Sequence, residues 1–377
     1  MTRMGPLSGV KVVELAGIGP APFACMMLAE LGAEVLRIER PGGGLAMGPP
    51  EFELLNRGRR NVALDLKNPA AIETVLQLVA RADVLVEGFR PGVAERLGLG
   101  PDACHEVNPK LVYGRMTGWG QDGPLAQSAG HDIDYLALSG ALSLIGRAGG
   151  PPQVPVNLLG DFAGGSLYLV IGILAAVVEA WGSGRGQVVD AAILDGAAHL
   201  TTIVHGALAA GNWQLQRGTN LLDTGAPFYD VYETSDGEFM AVGAIEPQFY
   251  DELVRLLGVQ APDRYDQANW PELHKLFTET FAQRTQAEWT ELFDGTDACV
   301  SPVLRPAADH PHLLARGTFV DNEGVRQPAP APRFSRTPTQ LGRPPACPGQ
   351  HTREALADWG VTDVDSLLGS GAAVQAD

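Results

Sequence analysis

His131 and Asp132 follow a glycine in SAGHDIDYLALSG, just ahead of an apolar run, in a chain with only eight histidines. Two more acids stand in comparable places: Asp161 precedes a long apolar stretch in NLLGDFAGGSLYLV, and Glu246 opens an amphipathic one in GAIEPQFY. Imidazole and carboxyl groups exchange protons near neutrality when their surroundings adjust their affinities. At Asp161, burial at the mouth of an apolar helix would favour the protonated acid, while the helix N-terminus would favour the carboxylate. Backbone amides of that turn could also hold a developing oxyanion. Each residue has a plainer use as well. Asp161 suits an N-cap, Glu246 a first-turn acid complementing the helix dipole, His131 a hydrogen-bonded structural histidine, and Asp132 a cap for a helix starting near Ile133. Each signal is weak singly, and only their combination would be strong.

Those residues need elements to hold them, and the first half of the chain alternates strand and helix patterns. VKVVEL (Val10 to Leu15), EVLRIE, NVALDL (Asn61 to Leu66), DVLVEGF and LVYGRMTG read as buried strands, with PFACMMLAELG as a helix closed by Gly32. Asn68 caps a further helix with Pro69 at its first position, where a missing N–H does no harm. The pattern predicts an α/β fold with a mostly parallel, doubly wound, Rossmann-like sheet. After Asn220 it changes: FYDVYETSDGEFMAVGAI alternates around a Ser-Asp-Gly turn, and a helix EPQFYDELVRLLG follows. The expected organisation is a large domain over 1–190, a linker helix over 191–220 and a small α+β domain over 221–330. A return strap and C-terminal helix would occupy 331–377, with Gly369 to Asp377 a frayed tail.

Composition narrows the function classes. The 377 residues are 45% hydrophobic and 19% charged, as in a well-buried globular protein. A net charge of −17 argues against nucleic acid as a general partner. Four scattered cysteines show neither metal-ligand spacing nor a disulfide framework, and the first nine residues lack a signal-peptide pattern, so a reducing cytoplasm is expected. Phe162 to Val178 carries no charge, yet it is short for a membrane span and holds Gly164, Gly165 and Gly172, so a buried helix and no membrane association are expected. GIGPAP after the first strand imitates a dinucleotide-binding turn, with Glu39 where a ribose-binding acid belongs. Pro20 and Pro22 remove amides that such a turn needs, which leaves a tight strand-to-helix turn. Arg40, Arg57, Arg59, Arg60 and Lys67, followed by Arg90 and Arg96, form a basic strip at strand ends and the loops after them, suited to a phosphorylated ligand or to ordinary solvation.

Several longer motifs, in order, carry a resemblance. PLSGVKVVELAGIGPAPFACMMLAELGAEVLRIERP, EGFRPGVAERLG, RMTGWGQDGP, GHDIDY, GDFAGGS, GQVVDAAILDG and AIEPQFY resemble the family III CoA-transferase (CaiB/BaiF) superfamily from Pro6 to about Pro338. GHDIDY and GAIEPQFY point within it to the branch that racemises acyl-CoA thioesters. The resemblance implies a large Rossmann-like domain and a small domain joined by long linkers. It also implies an interlocked homodimer, whose active site lies between one chain's large domain and the other's small domain. It implies catalytic His131, Asp161 and Glu246, and CoA contacts at Arg40, Leu64, Asp65, Leu66, Lys67, Gly88, Phe89, Arg90, Arg96, Gly130, Asp132, Ile133 and Tyr135. It implies no metal or separate cofactor, since CoA arrives as part of the substrate. The implied reaction interconverts (2R)- and (2S)-2-methylacyl-CoA by removing the C2 proton from one face and returning it to the other. His131, oriented by Glu246, would serve one face and Asp161 the opposite one, with amides near Asp161 holding the enolate oxygen. An apolar acyl track would draw on ILDGAAHLTTIVHGALAAG, with no methionine between Met116 and Met240. Two rival readings keep the CoA site. One is CoA transfer between carboxylic acids with Asp161 as nucleophile, and the other is a non-catalytic CoA-binding protein.

Overall fold

A computed structural model describes residues 5–45 and 48–376. Residues 1–4, on which the expected absence of a signal peptide partly rests, and Asp377 at the end of the expected tail lie outside the described residues.

Six strands form a parallel sheet: Lys11–Leu15 (β1), Glu34–Glu39 (β2), Arg60–Leu64 (β3), Val84–Glu87 (β4), Val112–Thr117 (β5) and Val188–Ala192 (β6). Their order is β3-β2-β1-β4-β5-β6, and strand succession reverses between β1 and β4. Near-continuous apolar runs make this possible, because a parallel sheet is covered on both faces. Val12, Val13, Val35, Leu36, Val62, Leu64 and Val84 to Val86 are all fully buried. Helices Pro69–Val79 and Thr352–Asp358 pack on one face, and Pro20–Glu30 and Tyr168–Ser183 on the other. The expected frayed tail is instead an edge strand: Ala373–Val374 pairs antiparallel with β3, and Ala372 and Ala373 are buried.

The uncharged segment belongs to a helical run of 26 residues, Leu158–Ser183, long and apolar enough by length and composition to cross a bilayer. Its Leu169, Val170, Ile173, Ala176 and Val177 pack in the core, whereas Ile171, Val178 and Trp181 are exposed.

The chain divides into two compact units. The first holds the residues up to Ser139, Val156–Leu200, and Asp309 onward; the second holds Gly140–Pro155 and Thr201–Ala308. The division differs from the expected 190, 220 and 330 boundaries for identifiable reasons. Gly140–Pro155 joins the second unit because Arg147 ion-pairs with Asp230 and Arg217 donates to the carbonyls of Ser143 and Gly150. Residues after Asp309 join the first because the Gln327 side chain accepts from buried Arg57 (2.7 Å) and the Gly58 amide donates to the Arg343 carbonyl (2.7 Å). In place of one linker helix, Ile193–Leu200 and Thr202–Ala209 fall to different units.

In the second unit Tyr229–Glu233 (β7) and Phe239–Gly243 (β8) form the hairpin signalled by Ser-Asp-Gly, and Val300–Pro302 (β9) adds to β8. Helices Pro247–Leu257, Trp270–Phe281 and Gln286–Phe293 close its core around Phe277, Phe281 and Trp289.

Candidate active site

The carboxyl ends of β4, β1, β2 and β3 meet the loops carrying most of the expected ligand contacts. In sheets of this order, ligands bind at the crevice where strand succession reverses. Arg40 follows β2, Asp65 to Lys67 follow β3, and Gly88 to Arg90 follow β4. Arg40, Lys67, Arg90 and Arg96 are exposed. The rest of the basic strip is not available to a ligand: Arg57 pairs with Glu30 (2.6 Å), Arg59 with Glu14 (2.5 Å), and Arg60 with Glu34 and Asp358, all three arginines being buried. The Leu64 side chain is also sealed in the core, and half-buried Phe89 packs against it. Glu39, the mimic of a ribose-binding acid, accepts from Asn61 (2.7 Å) and the Gly44 amide (3.1 Å).

The loop after β4 is held by a buried arginine that the sequence reading did not single out. Arg115, on β5, donates to Glu87 (2.9 Å) and reaches Glu95 (2.9 Å). The other Glu87 oxygen accepts the Phe89 amide at 2.6 Å. Burial raises the Glu87 proton affinity, against the Phe89 amide and Arg115, which lower it. One guanidinium thus joins β4, the Gly88–Arg90 turn and the short helix that ends in Arg96.

His131 occupies the N-cap position of the helix Asp132–Ser139. Its carbonyl accepts the amides of Asp134 (2.9 Å) and Tyr135 (3.3 Å), and its own N–H donates to the Asp134 carboxylate (2.9 Å). The imidazole is exposed. The turn before it rests on Tyr135, whose hydroxyl donates to the Gly130 carbonyl (2.5 Å) and whose ring meets Trp119 edge-on at 4.7 Å. Only glycine fits at two neighbouring positions: a Cβ would lie 2.0 Å from the Tyr135 ring at Gly118 and 2.7 Å from it at Gly130. Burial, then the nearby Asp161, pushes the Tyr135 phenol up to about 12. Gly130 and Tyr135 therefore build the His131 turn, and Ile133 stands exposed beside it.

Asp161 is not an N-cap. It lies inside a π-helical stretch, Leu158–Leu167, that runs on into Tyr168–Ser183. Such wide turns leave extra amides unpaired at their start and recur at functional sites. Small residues let the stretch pack closely: a Cβ at Gly196 would lie 1.8 Å from the Gly164 carbonyl oxygen. The Asp161 carboxylate accepts from the Asn157 amide group (3.3 Å), and a Cβ at Gly19 would lie 3.4 Å from its Oδ2. The GIGP turn is thus a tight strand-to-helix connection, with Gly19 at φ 65, and also a wall of the site. Ser166 joins the two by donating toward the carbonyls of Pro20 (2.8 Å) and Asp161 (3.0 Å), and Phe23 stacks on Phe162 at 4.6 Å. Burial raises the proton affinity of Asp161. The Asn157 hydrogen bond opposes that, Asp132 adds to it, and His131 opposes it. Imidazole and acid are close enough to act on each other electrostatically.

The Asp132 carboxylate does not cap its own helix but is buried against the Asp161 turn. Its Oδ1 accepts the Asp161 amide at 2.6 Å, and the backbone of Gly160 lies close enough to favour the charged carboxylate. Among the amides near Asp161 expected to hold an enolate oxygen, the N–H of Asp161 itself is already engaged.

Glu246 belongs to the second unit. It stands exposed at the N-cap position of Pro247–Leu257, and its side chain makes no capping bond. Cys299, also exposed, has a thiol raised by desolvation and then by Glu246.

Comparison with known proteins agrees with this arrangement. The family model of the CoA-transferase family III matches residues 7–352. The chain is 48% identical over 380 residues to "Alpha-methylacyl-CoA racemase" of Mus musculus, covering 98% of each protein. It is 46% identical over 362 residues to the Homo sapiens racemase, covering 94% of this chain and 93% of that one. Among solved structures, a CaiB/BaiF family protein from Brucella suis superposes with a TM-score of 0.82 at 29% identity, over 95% of this chain and 100% of the other. With the strand order, the loops at the crevice and the His131–Asp161 pair in place, the chain belongs to the CoA-transferase family III.

Proposed function

We propose that the chain interconverts (2R)- and (2S)-2-methylacyl-CoA thioesters by proton transfer at C2. One observation carries the reading. An exposed imidazole, His131, and a half-buried carboxylic acid with raised proton affinity, Asp161, sit on neighbouring turns. The chain that holds them is nearly half identical to proteins named as racemases of this substrate class. For one epimer, neutral His131 takes the C2 proton and protonated Asp161 returns one to the opposite face. For the other epimer, the Asp161 carboxylate takes it and the imidazolium returns one. Between the two steps an enolate exists, the thioester bond stays intact, and each cycle leaves the two groups in exchanged protonation states. These acid–base groups suffice, so no metal or separate cofactor enters the proposed scheme.

Arg40, Lys67, Arg90 and Arg96, exposed at the strand ends, suit the phosphates of CoA. Ile203, Val204 and Ala207, from the expected acyl track, line an apolar groove of about 420 Å³ in the second unit, with Leu144, Trp213 and Leu222. Glu246 has an exposed carboxylate that makes no capping bond, suited to orienting an imidazole as the acid of a catalytic triad does. We assign that role to Glu246 of a second copy of this chain in a homodimer. The exposed Ile171, Val178 and Trp181 offer an apolar helix face for such an association.

The test is turnover of (2R)-2-methylacyl-CoA in heavy water. Racemisation with deuterium gained at C2 is expected, and inversion without solvent hydrogen rules the scheme out. His131→Ala should abolish racemisation. A His131→Ala protein that still moves CoA from a thioester to a free carboxylate would instead support transfer through Asp161.

A further inference from the structure

The wide turn that carries Asp161 starts with amides its own helix cannot satisfy, and one of them, on Asp161 itself, is bonded by Asp132. Asp132 adjoins His131 in sequence. It is 7% exposed, and its second oxygen, Oδ2, is buried without a partner among the described residues. An unbonded buried carboxylate oxygen is costly, so this acid serves its own stability poorly. Gly160 is shaped to admit it, since a Cβ there would lie 2.3 Å from Oδ1. Asp132 also makes no capping bond to its own helix, where His131 takes the N-cap position and Asp134 accepts the His131 amide.

We infer that Asp132 is a positioning residue: its carboxylate fastens the His131 turn to the Asp161 turn and so sets the spacing of the two proton-transfer groups about C2. The inference rests on the proposed racemisation. Asp132 does not touch the reacting carbon in this scheme, and it acts through the backbone of the residue that does. Its proximity also favours the protonated form of Asp161.

The experiment compares Asp132→Ala, Asp132→Asn and Gly160→Ala with the wild-type chain. It measures kcat and KM for 2-methylacyl-CoA racemisation, the dissociation constant of free CoA, and C2 deuterium gain in substrate recovered with retained configuration. Misplacement of one acid–base group by an ångström is worth about 100-fold in rate. Asp132→Ala should therefore lose about that much kcat while CoA binding stays within about threefold. Recovered substrate should gain deuterium without inverting, because one base still removes the proton while its partner no longer returns one to the far face. Asn keeps the accepting oxygen and replaces one unbonded atom by another, so Asp132→Asn should regain at least about tenfold of the loss. Gly160→Ala should reproduce the Asp132→Ala pattern from the opposite side of the contact, and with Asp132→Asn it carries the test if Asp132→Ala does not fold. Three results overturn the inference: kcat within about threefold of wild type in Asp132→Ala, loss of kcat in step with loss of CoA binding, or an unchanged ratio of exchange to inversion in all three variants. A wild-type chain that neither racemises nor exchanges refutes the function itself, and this inference with it.

Discussion

Arg115→Met tests whether the CoA-side loop depends on one buried guanidinium. Glu87 is 1% exposed and has Arg115 as its cation at 2.9 Å, while its other oxygen accepts the Phe89 amide at 2.6 Å. Removing one partner of a buried pair costs about 3–5 kcal/mol, because the remaining charge is uncompensated. The second partner, Glu95, is 44% exposed at its side chain and adds at most about 1 kcal/mol. The expected destabilisation is therefore about 3–5 kcal/mol at neutral pH, dominated by Glu87. The pH dependence has a definite sign. Burial already holds Glu87 above the ordinary carboxyl range, with the Phe89 amide and Arg115 opposing, and loss of Arg115 raises it further. A raised folded-state affinity contributes stability below the unfolded value and loses it as pH rises through the folded one. The deficit of the variant should thus be largest at pH 7 to 8 and shrink toward about pH 4.3, the unperturbed Glu value. Urea unfolding at several pH values measures this, and steady-state kinetics should show KM for the thioester rising more than kcat falls, because the Gly88–Arg90 turn loosens. The double variant Glu87→Gln/Arg115→Met, free of the stranded charge, should regain most of the stability. A neutral-pH deficit below about 1 kcal/mol, or one that grows on acidification, would refute the reasoning.

Other expectations follow from the same geometry. Asp161→Asn should abolish racemisation and C2 exchange yet raise the melting temperature at pH 7.5. Burial disfavours the Asp161 carboxylate, and the gain should vanish below about pH 4, where the unfolded acid is also protonated; a lower melting temperature at neutral pH would contradict this. Glu246→Gln should speed alkylation of Cys299 at pH 8, since desolvation first and Glu246 second hold that thiol up, and an unchanged rate would separate the two groups. Gly196→Ala should cost about 1–3 kcal/mol or more, because a Cβ there meets the Gly164 carbonyl at 1.8 Å, and it should lower kcat by shifting the Asp161 turn. A variant with wild-type stability would show that the two helices can separate without penalty.

Much of this protein is determined by the sequence alone, wherever a property depends on neighbours along the chain. Buried parallel strands announce themselves as apolar runs such as VKVVEL and DVLVEGF, and Asn68 with Pro69 marks a helix start that the structure reproduces, with Asn68 accepting the Ala70 amide at 3.0 Å. The prolines of GIGPAP delete amides that a phosphate cradle would use, a matter of local chemistry. Tertiary structure decided which charges are free and which are spent. Arg57, Arg59 and Arg60 read as part of one basic strip with Arg40 and Lys67, yet their partners Glu30, Glu14 and Glu34 come from strands and helices brought alongside only by folding. Ala373 looks like tail because nothing local marks an edge strand two residues long, whose stability comes from pairing with β3. Asp132 reads as a helix cap because capping is a local pattern. Its actual partner, the amide of Asp161, lies 29 residues further along, and no spacing rule reaches it. Residue type sets what a side chain can donate or accept, but only the packed chain determines which groups remain available for chemistry.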